Sequence, residues 1–133
     1  MTTKKPIRKN KFGNIKCMAG GKVFPSKLER DCFIYLRSKK SILDFDTQVT
    51  YFLVDKNESN KRGIRYIADF VVKLSNGVEL VIDSKSFVTA NLSAFKLKKA
   101  LFEAKFKKKL HVVFSTKELA NLIFKSSKIR NAP

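Results

Sequence analysis

Between Tyr66 and Ser86 two apolar runs, Tyr66 to Leu74 and Val78 to Ser86, flank the tripeptide Ser75-Asn76-Gly77. Val, Ile, Phe and Leu at strand length on both sides of Asn-Gly predict a β-hairpin, around which the remaining elements must pack. Three charged residues interrupt it: Asp69 in the first run, Asp83 and Lys85 in the second. Asp83 and Lys85 are two apart and therefore share a face of their strand. A carboxylate within Val-Ile-Asp is costly unless something pairs with it or binds to it.

The loop decides whether the two acids meet. With a two-residue Asn76-Gly77 loop, Asp69 faces Ser84 and the acids lie on opposite sides of the sheet. With a three-residue loop and a left-handed Gly77, Leu74 faces Val78 and Asp69 comes directly opposite Asp83. The second register is expected, because it creates a pocket of two carboxylates and the Lys85 ammonium. Like charges so placed repel unless a cation sits between them.

Charge narrows the partners. The chain of 133 residues has 29 Lys and Arg against 11 Asp and Glu, a net charge of +18. Such an excess points to a polyanion, with nucleic acid the default and an anionic membrane the competitor. No apolar run reaches spanning length, and Met1 to Pro6 leads into further charge, so a soluble, cytoplasmic protein is expected. With 44% hydrophobic residues and twelve Phe, one domain with a real core is expected over residues 23–124. Residues 1–22 read as a basic arm, with Arg8 and Lys9 as phosphate contacts, and residues 125–133 as a basic tail. Cys17 and Cys32 lack zinc spacing, and His111 reads as a structural strand residue.

Ser26-Lys27-Leu28-Glu29 has the form of a capping box and opens a predicted helix that fades at Ser38. Glu29 has two readings: it bonds back to Ser26, or, with Cys32, Phe33 and Leu36 on its face, it turns inward to an acidic site. A strand from Thr47 to Val54 begins next to Gln48, which either bonds a backbone edge or approaches the acids. Asp55 to Arg65 is a polar connection. After the hairpin comes a helix from about Leu92 to Lys108, capped by Thr89 or Asn91. Its stripe of Leu97, Ala100, Leu101 and Ala104 is expected to pack on a sheet. A second stripe, Phe95, Phe102 and Phe106, widens that contact or forms a subunit interface. A strand from Leu110 to Phe114 and a capped helix through Phe124 complete the order.

Helix, three antiparallel strands, helix and strand, with acids at Glu29, Asp69 and Asp83 and a base at Lys85, resembles the PD-(D/E)XK nuclease superfamily. Within it, Phe24 to Glu29, Gln48, Tyr66-Ile67-Ala68-Asp69-Phe70 and Ile82-Asp83-Ser84-Lys85 are similar to small phage-encoded endonucleases, including the junction-resolving type. The resemblance implies an α/β, restriction-endonuclease-like αβββαβ core with a mixed central sheet flanked by helices. It also implies Mg²⁺-dependent hydrolysis of DNA, with Mn²⁺ able to substitute. Asp69 and Asp83 would bind the metal, Glu29 would complete the acidic set, and Lys85 would orient or help deprotonate water. Carboxylate oxygens suit hard divalent cations on chemical grounds alone. Many relatives place Gly directly after the lysine, whereas this chain has Ser86. Lys27, Lys96, Lys98, Lys99 and Lys105 are candidates for gripping phosphate, and Gln48, Ser84 and Thr89 for accessory roles.

No sequence-reading module accompanies this core, so structured DNA such as a Holliday junction is the expected substrate. Symmetrical cutting would then require a homodimer. Two alternatives stand: a non-catalytic nucleic-acid-binding protein on the same fold, and a sequence-specific or transposition-type nuclease targeted by a partner. The plainest reading of Asp83 and Lys85 is a same-face ion pair worth about 1 kcal/mol or less.

Overall fold

A computed structural model describes residues 17–129. Arg8, Lys9, the rest of residues 1–16 and the last residues of the basic tail lie outside them.

The fold is α/β. Four strands, β3 (Ile42–Val54), β4 (Ile64–Leu74), β5 (Glu79–Ser84) and β6 (Leu110–Val113), form a mixed sheet in that order. The first three are antiparallel and β6 runs parallel to β5. Helices α1 (Lys27–Ser38) and α4 (Thr116–Ser127) cover one face and α3 (Ser93–Phe106) the other. A hairpin of β1 (Cys17–Ala19) and β2 (Lys22–Phe24) packs beside α1, so residues 17–22 are strand and turn rather than part of a basic arm. Likewise α4 runs through Ser127, into the stretch predicted as tail.

The central hairpin has the three-residue loop. Leu74 N–H donates to the Val78 carbonyl at 2.8 Å and Gly77 N–H to the Leu74 carbonyl at 3.0 Å. Gly77 has φ 89°, a left-handed conformation that residues with a Cβ rarely adopt. The ladder pairs Phe70 with Ile82 and Lys73 with Glu79, and just beyond its end Asp69 and Asp83 are neighbours. Asn76 ties this turn to the far end of the chain, its Nδ2 donating to the Ser126 carbonyl at 2.9 Å and the Ile129 carbonyl at 2.7 Å. Its Oδ1 accepts from Val78 N–H at 3.1 Å. Asn76→Ala is therefore expected to cost about 1–2 kcal/mol. A urea midpoint unchanged by the substitution would show that turn and helix are not coupled.

The core has two halves. Phe33, Cys32 and Leu36 of α1 and Leu119 and Ile123 of α4 bury Phe70, Val72, Leu74, Leu80 and Ile82. On the other face Phe95 and Phe102 of α3 bury Leu53, Tyr66, Ala68, Val81 and Leu110. Tyr51 stands edge-on to Phe102 at 4.9 Å and to Phe106 at 5.1 Å, contacts worth about 0.5–1.5 kcal/mol each beyond their area. Thus the Phe stripe makes the core contact, while Leu97 of the other stripe is 59% exposed. The cap of α3 also differs from expectation. Thr89 belongs to a short α2 (Phe87–Ala90), and the cap position is Leu92, with no side-chain bond.

One irregularity positions the site. In a regular strand Ala68 and Phe70 point the same way, yet Ala68 joins the α3 core and Phe70 the α1/α4 core. The break falls at Asp69. Opposite it on β3, Gln48 has φ 54°, and the ladder skips from Thr47–Phe70 to Val49–Ala68. A non-glycine residue in this region is uncommon and strained.

Candidate active site

Glu29, Gln48, Asp69, Ser84, Lys85 and Thr89 line one cleft of about 420 Å³. Five elements contribute, Thr89 coming from α2. The first turn of α1 supplies Glu29, the strained point of β3 supplies Gln48, and the two strands of the central hairpin supply Asp69 and Ser84, with Lys85 just beyond.

Ser26 Oγ accepts from the Glu29 backbone N–H at 3.1 Å, which starts the helix. The Glu29 carboxylate does not complete a capping box; its Oε2 accepts from Gln48 Nε2 at 2.9 Å, and the side chain is buried. Of its two predicted readings, the structure has the inward-facing one. Asp69 is clamped by its neighbour across the hairpin: Oδ2 accepts from Ser84 N–H at 2.8 Å and Ser84 Oγ at 2.9 Å. Asp83 lies beneath, 0% exposed. Lys85 Nζ pairs with its Oδ2 at 3.1 Å, and neither carboxylate oxygen of Asp83 accepts from a backbone N–H. The Lys85 ammonium also sits over the Phe95 ring at 5.0 Å, a cation–π contact that holds it at the cleft wall.

The acids stand in a row, Glu29 beside Asp69 and Asp69 beside Asp83. Burial pushes each of the three above its usual range, and the charge of a neighbouring acid adds to it. Asp83 is pushed up to about 8 by burial and then by Asp69, against the pull of Lys85.

The match to known families spans most of this architecture. Residues 9–121 match the family described as Protein of unknown function (DUF1064). The chain belongs to the DUF1064 family. No curated protein matches it. The span shared with DUF1064 contains Glu29, Gln48, Asp69, Asp83 and Lys85, so the whole row of acids lies within the family's own domain.

Among the described residues no group of three or more His, Cys, Asp or Glu side chains is arranged to hold a metal ion. Mg²⁺ does not require one: it is bound by one or two carboxylates, with waters and substrate phosphate completing the shell. The hard oxygens of Asp69 and Asp83, the latter free of backbone donors, fit that demand.

The accessory and phosphate-binding candidates divide. Ser84 fixes Asp69, and Thr89 lines the cleft while its N–H donates to Ser86 Oγ at 3.1 Å. Ser86, standing where many nucleases of the resembled type have Gly, is thus the cap of α2. Lys27 lines the cleft. Lys99 is paired with Glu103 at 3.2 Å, Lys105 donates to the Phe52 carbonyl, and Lys96 is exposed on α3. Two site residues escape the sequence pattern: Tyr66, whose buried hydroxyl lies beside Asp83, and Phe95, which supports Lys85. Aromatics inside apolar runs look like core, and only the third dimension gives them polar neighbours. Cys32 is fully buried, its thiol pushed up to about 12, and is no nucleophile. No helix among the described residues is long and apolar enough to cross a membrane.

Proposed function

We propose that this protein is a Mg²⁺-dependent DNA endonuclease of the PD-(D/E)XK type that acts on branched DNA. The observation that carries this reading is the adjacency of Asp69 and Asp83 at the end of the hairpin, with Asp83 fully buried and Lys85 3.1 Å from its Oδ2. In a chain of net charge +18, these adjacent acids gather negative charge that a bound divalent cation would neutralise.

Asp69, immobilised by Ser84, and Asp83 would hold the ion. The chemistry supplied by bound Mg²⁺ is polarisation of the scissile phosphate and acidification of the attacking water. Lys85, steadied on Phe95, directs its ammonium at the phosphate, where it offsets developing negative charge. Glu29, oriented by Gln48, forms the opposite wall and is placed to accept a proton from water in the cleft.

The alternative, a non-catalytic nucleic-acid-binding protein, draws on the same 3.1 Å Lys85–Asp83 pair read as structural. Incubation of the purified protein with four-way junction, flap, nicked, duplex and single-stranded DNA, in Mg²⁺ or EDTA, separates the two. Cleavage that requires Mg²⁺ and falls about a hundredfold or more in Lys85→Ala is expected. Binding without cleavage on every substrate would favour the alternative.

A further inference from the structure

A groove of about 920 Å³ lies between α3 and the loop joining β3 to β4. Its walls carry Lys56, Lys61, Arg62, Arg65 and Lys98. None of the five is ion-paired among the described residues, and the loop acids Asp55 and Glu58 do not line it. Its floor is apolar, with Phe52 60% exposed and Leu97 59% exposed. The loop is pre-formed: Asn57 Oδ1 accepts from Ser59 N–H and Asn60 N–H, and Asn60 Oδ1 from Gly63 N–H. Gly63, at φ 71°, brings its backbone so close to the Val54 carbonyl that a Cβ would lie 2.6 Å from that oxygen. An adjoining cavity of about 360 Å³ shares Arg65, Ala94 and Lys98 with the groove and Lys85 with the acidic cleft. Their shared lining residues place the three side by side, with Lys85 standing between the middle cavity and the acidic cleft.

We propose that these three cavities form a path that seats an unpaired strand of DNA. It rests on the nuclease reading only for its destination: the preferred substrate is branched DNA with a single-stranded arm rather than a fully paired four-way junction. Duplex DNA presents phosphates and groove edges and has no use for an exposed apolar floor. Unpaired bases offer flat faces that stack on Phe52 and lie against Leu97 while basic walls follow the phosphates. The unpaired charge of the walls complements the backbone of such a strand, and the exposed apolar floor matches the flat faces of bases, which an acidic peptide lacks.

Fluorescence anisotropy of the full chain in EDTA, with a labelled oligothymidine and a blunt duplex of equal length, tests the path. Tighter binding of the oligothymidine is expected. Phe52→Ala should weaken it about 5- to 100-fold and leave duplex binding within about twofold. Leu97→Glu, at an exposed helix position, should act the same way and serves if Phe52→Ala folds poorly. Lys61→Ala with Arg62→Ala should reduce the slope of log affinity against log salt by about 1.4. Equal or tighter duplex binding, or equal losses on both DNAs, would overturn the path and leave the cleavage reading untouched. Strand preference lost in Phe52→Ala, with no Mg²⁺-dependent cleavage of a flap, would support the path and overturn the nuclease.

Discussion

Asp83→Asn is expected to lower Mg²⁺-dependent cleavage about a thousandfold or more without unfolding the protein, since a cation held by Asp83 would supply several kcal/mol of charge stabilisation at the phosphate. The substitution keeps the shape of a fully buried side chain and removes only its capacity for negative charge. It also leaves Asp69 with both of its Ser84 bonds. Were Asp83 merely the partner of Lys85, the loss would be that of an ordinary ion pair and cleavage would change little. Single-turnover cleavage within tenfold of wild type, for a variant whose circular dichroism is unaltered, would remove Asp83 from the chemistry.

Stability of the metal-free protein should fall as pH rises, opposite to the behaviour of a well-paired carboxylate. Asp83 holds its proton up to about pH 8 in the folded chain, against an ordinary value of 3.8. Across that window the folded state binds a proton that the unfolded state has released. The stabilisation is complete below the lower value and is lost as pH climbs to the upper one, at up to about 1.4 kcal/mol per pH unit. Glu29 and Asp69 shift in the same direction. Thermal melts in EDTA between pH 5 and pH 8, compared with Asp83→Asn, isolate the contribution: the wild type should lose ground to the variant as pH rises. Millimolar Mg²⁺ should then restore the wild type at the alkaline end by mass action and leave the variant unmoved. Parallel profiles would mean that Asp83 is not forced to keep its proton.

Much of the fold is written in local patterns. Ser26 and Ser115 each accept from the N–H three residues on and start α1 and α4 where their motifs predict. Other boundaries answer to distant partners. β3 begins at Ile42 rather than Thr47, because Phe45 pairs with Val72 and packs on the α1 core despite the flanking Asp44 and Asp46. On α3 two apolar stripes compete on equal local terms, and the rings of Tyr51 and Tyr66 on the sheet select Phe102 over Leu97.

The sequence by itself determined that a hairpin turns at Ser75-Asn76-Gly77, but a left-handed Gly77 fits a two-residue and a three-residue loop alike and leaves the register open. The bond from Leu74 N–H to the Val78 carbonyl settles it. Only the tertiary structure decided that β4 changes faces at Asp69 opposite a strained Gln48, that Glu29 turns to Gln48 instead of capping its own helix, and that Phe95 supports Lys85. Those contacts join residues from separate elements, and burial in a shared core, which no local pattern encodes, is what brings them within reach of one another.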